Sequence, residues 1–454
     1  LEHYLEISGL KRLFLWLIKD IEIGFMEQKV ISYQMDNGDS LPLEKAAEAI
    51  SKALPREDYR NKKVILIIPD HTRTAPVGDI FKLVYKQIGD VTSALDIIVA
   101  LGTHSPMSEE AICHRLDISI AERREKYGRV KFINHEWNNP SALKNVGTIS
   151  ADEIDKLTNG LFSMDVPVEV NKVLFEYDQA VIIGPVFPHE VVGFSGGNKY
   201  LFPGVAGPRI LNFFHWLGAV ITNPMIIGRK WTPVRKVVDR AAALVNVPKL
   251  CISLVVNGEK LAGIFIGTPE GAWDKASDLS NKLHIIYKDH PYSLIISCAP
   301  KMYDELWTGG KCMYKLEPVL ADGGELIIYA PHISKISDTH GRIIEEIGYH
   351  CRDYFLKQWD KFKNYPWGVL AHSTHVRGIG TFENGIERCR AKVTLATAIP
   401  ESVCRKINLG YRNPASINVD EFKGREDEGI LVVPKAGEML YRLKNPPAWA
   451  GGNG

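Results

Sequence analysis

Short, continuous apolar runs, each closed by a polar turn, recur along this chain. VILIIPD (64–70), ALDIIVALGTH (94–104), VKFINHEW (130–137) and QAVIIGPVFPH (179–189) form one series, with helical stretches such as VGDIFKLVYKQI between them. Runs without polar alternation are buried on both faces, as parallel strands covered by helices are. A second series follows: YSLIISCAP (292–300), GELIIYAPH (324–332), WGVLAHSTH (367–375), AKVTLATAIP (391–400) and GILVVPKAG (429–437). The pattern predicts an α/β protein of two α/β domains with largely parallel sheets and the active site in the interdomain cleft. Expected divisions are an extension or cloning remnant over 1–25, an N-terminal α/β domain over 26–285, a C-terminal α/β domain over 286–440 and a flexible tail over 441–454.

With 454 residues, 45% hydrophobic and 24% charged, the chain has ample core for two or three domains. A net charge of +1 gives no general reason to expect nucleic acid or an anionic membrane as partner. Ahead of Met26, LKRLFLWLIK is too short to span a bilayer, and a peripheral amphipathic helix is the other reading of that segment. Seven scattered cysteines with no C-x-x-C pair argue against a disulfide framework or a zinc ribbon and fit a reducing cytoplasm.

Strands of the first series end in reactive side chains: Asp70-His71-Thr72-Arg73, Thr103-His104 and Pro188-His189. Ligands of open α/β sheets sit outside the carboxyl ends of strands, so three such ends read as one site. Arg73 is placed to grip a carboxylate or phosphate, and Asp70 to hold that turn; a helix cap and a solvated cation are the plainer alternative. His104 suits a general base, against a merely structural histidine.

The segment PHEVVGFSGGNKYLFPGVAGPRILNFFH (188–215) fails three motifs in turn. Asn198 stands where the P-loop needs the glycine before its lysine and Tyr200 where it needs Ser/Thr, Gly193 replaces the second His of H-E-x-x-H, and no dinucleotide fingerprint fits. What remains is a Gly-rich nest (Gly193, Ser195, Gly196, Gly197) from which Lys199 emerges, able to bind phosphate. His215 alone would hold a metal poorly, so most ligands would have to come from elsewhere. In the second half, Tyr303 follows a strand end, Trp307 is a pocket wall or core, and His372, His375 and Arg377 crowd one turn.

Together DHTR…P, GTHxPM, NHEW and PHxxxGFSGGxKxxxPG resemble the nickel-dependent lactate racemase family, from about Met26 to 440. The resemblance implies an isomerase whose N-terminal domain binds the nickel-pincer nucleotide, covalently on Lys199, with nickel ligated by His215. It further implies His104 and His189 as the two acid/base histidines and Arg73 as the grip on the substrate carboxylate. Asp70 and Thr72 join the cofactor shell. The reaction implied is inversion of C2 of a 2-hydroxy acid by reversible hydride transfer through a 2-keto acid. Small-molecule substrate and cofactor-synthesis proteins are the expected partners, without nucleic acid or membrane, and an oligomer is compatible with the sequence.

Two departures bear on substrate. The lactate enzyme's motif tyrosine is followed directly by a glutamine and, four residues on, by a carboxylate-binding lysine; counted from Tyr303, these positions hold Asp304 and Trp307. Loss of a cation and gain of a carboxylate favour hydroxyl groups, hence a polyhydroxy, gluconate-like aldonic acid. The alternatives are lactate or another short-chain 2-hydroxy acid and, in a different class, a non-catalytic nucleotide- or anion-binding protein.

Overall fold

The computed structural model describes residues 29–451; the segment expected as an extension over 1–25 lies outside them. The first sheet has seven strands in the order Ile31–Gln34, Lys260–Gly267, Lys249–Asn257, Gln179–Pro185, Lys63–Pro69, Ala94–Ala100, Phe132–Asn134. The last five are parallel to one another, and the first two pair antiparallel at one edge. Lys63–Pro69 is buried at every position after its first lysine. Its branched Val64, Ile65, Ile67 and Ile68 fill both faces of the pleat. Helix Val77–Ile88 covers one face, turning Ile80, Phe81, Val84 and Ile88 inward. The strand order reverses around Lys63–Pro69, which lies between Gln179–Pro185 and Ala94–Ala100. That reversal opens a crevice at the carboxyl edge, where the three reactive turns emerge.

The second sheet has five parallel strands in the order Gly410–Tyr411, Lys392–Thr397, Leu320–Ala330, Tyr292–Cys298, Ile430–Val433. WGVLAHSTH, read above as a strand, is instead part of helix Trp367–Arg377. Its apolar run is too short to separate the two periodicities, and Pro366 at the N-cap starts a helix. This helix packs on helix Pro208–Ile221 of the first half. The latter buries Ile210, Leu211, Phe213, Phe214, Trp216 and Leu217, being sandwiched between layers rather than amphipathic. Buried apolar residues of both halves therefore form one continuous cluster.

The tail expected over 441–454 is packed through Gly451. Strand Leu440–Leu443 pairs in parallel with Ile285–Lys288, and Arg390 lies 4.0 Å over the Trp449 ring. Among the described residues no helix is long and apolar enough to cross a membrane.

Candidate active site

A cavity of about 150 Å³ opens at the carboxyl edge of the first sheet and is walled on its far side by the second half. Asp70, Thr72, Arg73, His104, His189, Glu190, Lys199 and His215 line it from the first half. Trp307, Thr308, Lys311, Tyr314, His372 and His375 line it from the second.

Asp70 is nearly fully buried. One of its oxygens lies 2.5 Å from His104 Nδ1. The other accepts from Thr72 N at 3.1 Å and from Thr72 Oγ1 at 2.7 Å. Burial pushes this carboxyl up, but His104, the hydrogen bonds of Thr72 and Arg73 outweigh it and hold it well below the usual carboxylate range. The anion thus fixes the Nδ1 proton of His104 and leaves Nε2 as a base. Arg73 stays charged: burial alone would lower its pKa, and Asp70 together with Tyr303, Glu190 and Tyr200 more than offsets that.

His189 sits on the two-residue strand Pro188–His189, paired with Gly193–Phe194. Val191 N–H donates to its Nδ1 at 3.1 Å, and Glu190 Oε2 is 3.3 Å from the same nitrogen. Burial, then Lys199 and Arg73, keep this imidazole neutral. Burial and the Arg73 charge also lower Lys199 to about 7, so a large share of its amine is already free at neutral pH. On helix Pro208–Ile221, His215 Nδ1 donates to Leu211 O at 2.7 Å, and burial lowers its pKa to about 4. A neutral ring with Nδ1 committed to a carbonyl offers Nε2 as a metal ligand.

The glycines beside Lys199 serve a different purpose from a ligand-facing nest. A Cβ on Gly193 would lie 1.8 Å from Arg229 O, and one on Gly197 would lie 2.8 Å from Trp273 Cβ. Both have positive φ, so they let the loop press against its own protein. Ser195 Oγ donates to Pro185 O and accepts from Phe187 N. Of this group, Ser195 and Gly196 reach the cavity wall.

In the second half, the Trp307 ring stacks on His372 with centroids 3.9 Å apart. Tyr303 is buried beneath the wall, Asp304 is exposed, and Arg377 donates weakly to Ala391 O at 3.5 Å. None of these three lines the cavity. Lys311, missed in the sequence, is buried there. Its Nζ lies 4.6 Å from the Tyr303 ring centroid and has no hydrogen-bond partner. Burial and then Arg73 keep its pKa well below that of an ordinary lysine. Lys315 donates to Pro188 O and, at 3.3 Å, to Glu438 O. The expected loss of a cation is therefore corrected. The four-residue step from an aromatic ring to a lysine is met at the cavity by Trp307 and Lys311, not by counting from Tyr303. Glu190 was missed as well: burial raises its pKa, while His375 and Lys315 outweigh burial and keep it anionic. Thr308 and Tyr314 also escaped notice because neither carries a charge or motif.

A second cavity of about 540 Å³, walled by Trp137, Met164, Tyr365 and Trp367, shares Thr103, Leu211, His215, Trp307 and Gly368 with the first.

Fold and pocket define an α/β protein that gathers histidines, a lysine and an arginine at the switch point of a parallel sheet, where such folds bind ligands. A family model described as the lactate racemase N-terminal domain matches residues 42–225. Lactate racemase of Thermoanaerobacterium thermosaccharolyticum is 23% identical over 325 residues, 70% of this chain and 71% of that protein. Lactate racemase of Lactiplantibacillus plantarum is 23% identical over 283 residues, 61% of each chain. A crystal structure of a Thermotoga maritima protein superposes with a TM-score of 0.83 at 36% identity, covering 91% of this chain and all 100% of that one. The apoprotein of the Thermoanaerobacterium racemase shares the fold, with a TM-score of 0.64 at 18% identity over 87% of this chain and 92% of that one. Residues 42–225 thus belong to the lactate racemase N-terminal domain family, and the chain as a whole is similar to lactate racemases.

Proposed function

We propose that this chain is a racemase or epimerase that inverts C2 of a 2-hydroxy acid through the 2-keto acid, using a nickel-pincer nucleotide joined to Lys199. The observation that carries the reading is the placement of His104, His189, Lys199 and His215 around one small cavity. The donor set fits the cofactor: His215 is neutral with Nδ1 already committed, and the lowered pKa of Lys199 makes a free amine available near neutral pH. When bound, the cofactor supplies an acceptor for the C2 hydride.

The chain's own residues do the rest. Arg73 and Lys311 bind the substrate carboxylate, two cations whose pairing with an anion offsets their burial. His104, braced by Asp70, takes the hydroxyl proton of one enantiomer, and His189 serves the other. The wall of the second half excludes water while the keto acid turns. We take the two sheets as the two domains, the cytoplasm as the location and cofactor-synthesis proteins as the loading partners.

For substrate we propose a polyhydroxy, aldonic-type acid. Support now comes from Glu190, Thr308, Tyr314 and His375 as hydroxyl partners and from Trp307 as an apolar wall, with no part for Asp304. The buried Lys311 favours the second reading, a short-chain acid such as lactate, since it restores the cation. The test is C2 inversion of single enantiomers of lactate, malate and aldonic acids by enzyme expressed with cofactor-synthesis proteins. Preference for an aldonic acid supports the first reading, and preference for lactate replaces it with the second. Absence of a covalent adduct on Lys199 overturns the cofactor assignment and leaves a non-catalytic anion-binding protein.

A further inference from the structure

Away from the cavity, the hairpin of strands Gly380–Glu383 and Ile386–Cys389 packs over the start of helix Arg352–Leu356. Cys351 stands at the N-cap of that helix, and Glu387 and Cys389 lie on the second strand. Their Sγ atoms and a carboxylate oxygen of Glu387 all lie within 4.8 Å of one another. Gly380 makes the approach feasible, since a Cβ there would meet Cys351 Cβ and Cys389 Cα, both at 3.0 Å. We propose that Cys351, Glu387 and Cys389 form a binding site for a thiophilic divalent cation, with zinc as the natural occupant.

Two thiolates and a carboxylate match the ligand preferences of zinc, with Zn–S of about 2.3 Å and Zn–O of about 2.0–2.2 Å. Such bonds bring the donors to roughly 3.5–3.8 Å of each other, a closure that side-chain rotation from the present spacing supplies. Three protein ligands leave a fourth position for water. The carboxylate is already oriented: Cys351 N donates to one oxygen at 2.6 Å, and His350 Nδ1 and Asn408 Nδ2 contact the other at 2.9 Å and 3.0 Å. Support of this kind around a carboxylate ligand is what metal sites use to fix geometry. Glu387 is correspondingly ionised: burial raises its pKa, and His350 with the Cys351 amide bring it down to about 2. The hydrogen bond with Cys389 opposes ionisation of the Cys351 thiol, with burial adding to it; a bound cation would favour thiolate ligands.

The site adjoins the catalytic wall without belonging to it. His350 N donates to Ser373 Oγ at 3.0 Å, on the helix that carries His372 and His375. Tyr349 OH lies 3.4 Å from His372 Nε2. A cation at Cys351 would therefore stiffen the segment behind the Trp307–His372 stack.

The test uses the full chain produced without cofactor-synthesis proteins, reduced and stripped with chelator, then titrated with zinc against a chromophoric chelator and separately with cobalt(II). One zinc per chain is expected, with a thiolate-to-cobalt absorption band; both are lost in C351S and C389S and kept in H215A. His350→Ala should weaken zinc binding about 10–100-fold, as loss of a supporting partner does. If a serine variant fails to fold, thiol counting on the wild type decides: zinc must protect two cysteines from a thiol reagent. Retention of zinc affinity in the folded double-serine variant overturns the proposal. So does failure of zinc to protect two thiols, or recovery of a Cys351–Cys389 disulfide in place of metal.

Discussion

Asp70 meets His104 Nδ1 at 2.5 Å, while Thr72 holds the same carboxylate from the other side. A residue from the turn after one strand thus orients the histidine after the neighbouring strand. Asp70→Asn removes the charge that balances a protonated imidazole and keeps the shape. Turnover should fall about 10²–10⁴-fold, the range of a lost acid–base contribution, with KM little changed. Steady-state kinetics and the mass of the Lys199 adduct check this: the adduct should persist.

Lys199 should react as a free amine far below ordinary lysines. Its pKa of about 7 means the neutral form dominates above that pH. Labelling of the cofactor-free protein with an amine-selective acylating reagent, read by peptide mass, should reach half its maximal rate near neutrality at Lys199. Exposed lysines should lag by several pH units.

Lys311→Met should move two measurements in opposite directions. Removing an unpaired buried amine raises the melting temperature of the unliganded protein. Losing a charged hydrogen bond of about 1.5–3 kcal/mol lowers kcat/KM for a 2-hydroxy acid by roughly 10–100-fold. Calorimetry and kinetics on one sample test both.

Gly193→Ala meets two obstacles, a φ of +88° and a carbonyl oxygen 1.8 Å from the new Cβ. Relief must come from moving backbone at Arg229, so destabilisation of at least about 1–3 kcal/mol is expected. Chemical denaturation measures it.

Stability should fall on acidification between pH 6.5 and 4. Burial holds His135, His215, His284, His340 and His375 each at about 4, against 6.5 in the unfolded chain. In that window the unfolded chain binds more protons, so the unfolding free energy rises with pH. Each histidine contributes up to about 1.4 kcal/mol per pH unit. Denaturant titrations of the cofactor-free protein at several pH values give the slope, and His284→Asn should flatten it.

The parts legible in the sequence were those where a buried strand stops at a polar turn. Asp70, Arg73, His104 and His189 announce themselves that way, because an apolar run cannot end in charge without a reason. Helix Trp367–Arg377 was missed because Val369, Leu370 and Ala371 make a run too short to reveal its period. Lys311 was missed because a lysine's burial depends on which helix crosses above it, and nothing local records that. The glycines around Lys199 suggested a ligand's backbone approach, whereas their neighbours are Arg229 and Trp273. Cys351 and Cys389 are far apart in sequence, and only the hairpin's packing brings them together.

The pairing of Ile285–Lys288 with Leu440–Leu443 places the outgoing and returning crossings between the halves side by side. Of the relative motions open to the halves, a swing about the line the two tethers share keeps the pairing intact, whereas sliding or separation breaks it. Even the swing must part helix Trp367–Arg377 from helix Pro208–Ile221. The far side, where Trp307 and the His372 helix face His104 and Lys199, would then travel furthest. A narrow axis at the chain's double crossing would thus set how wide a mouth the pocket can open for cofactor and substrate.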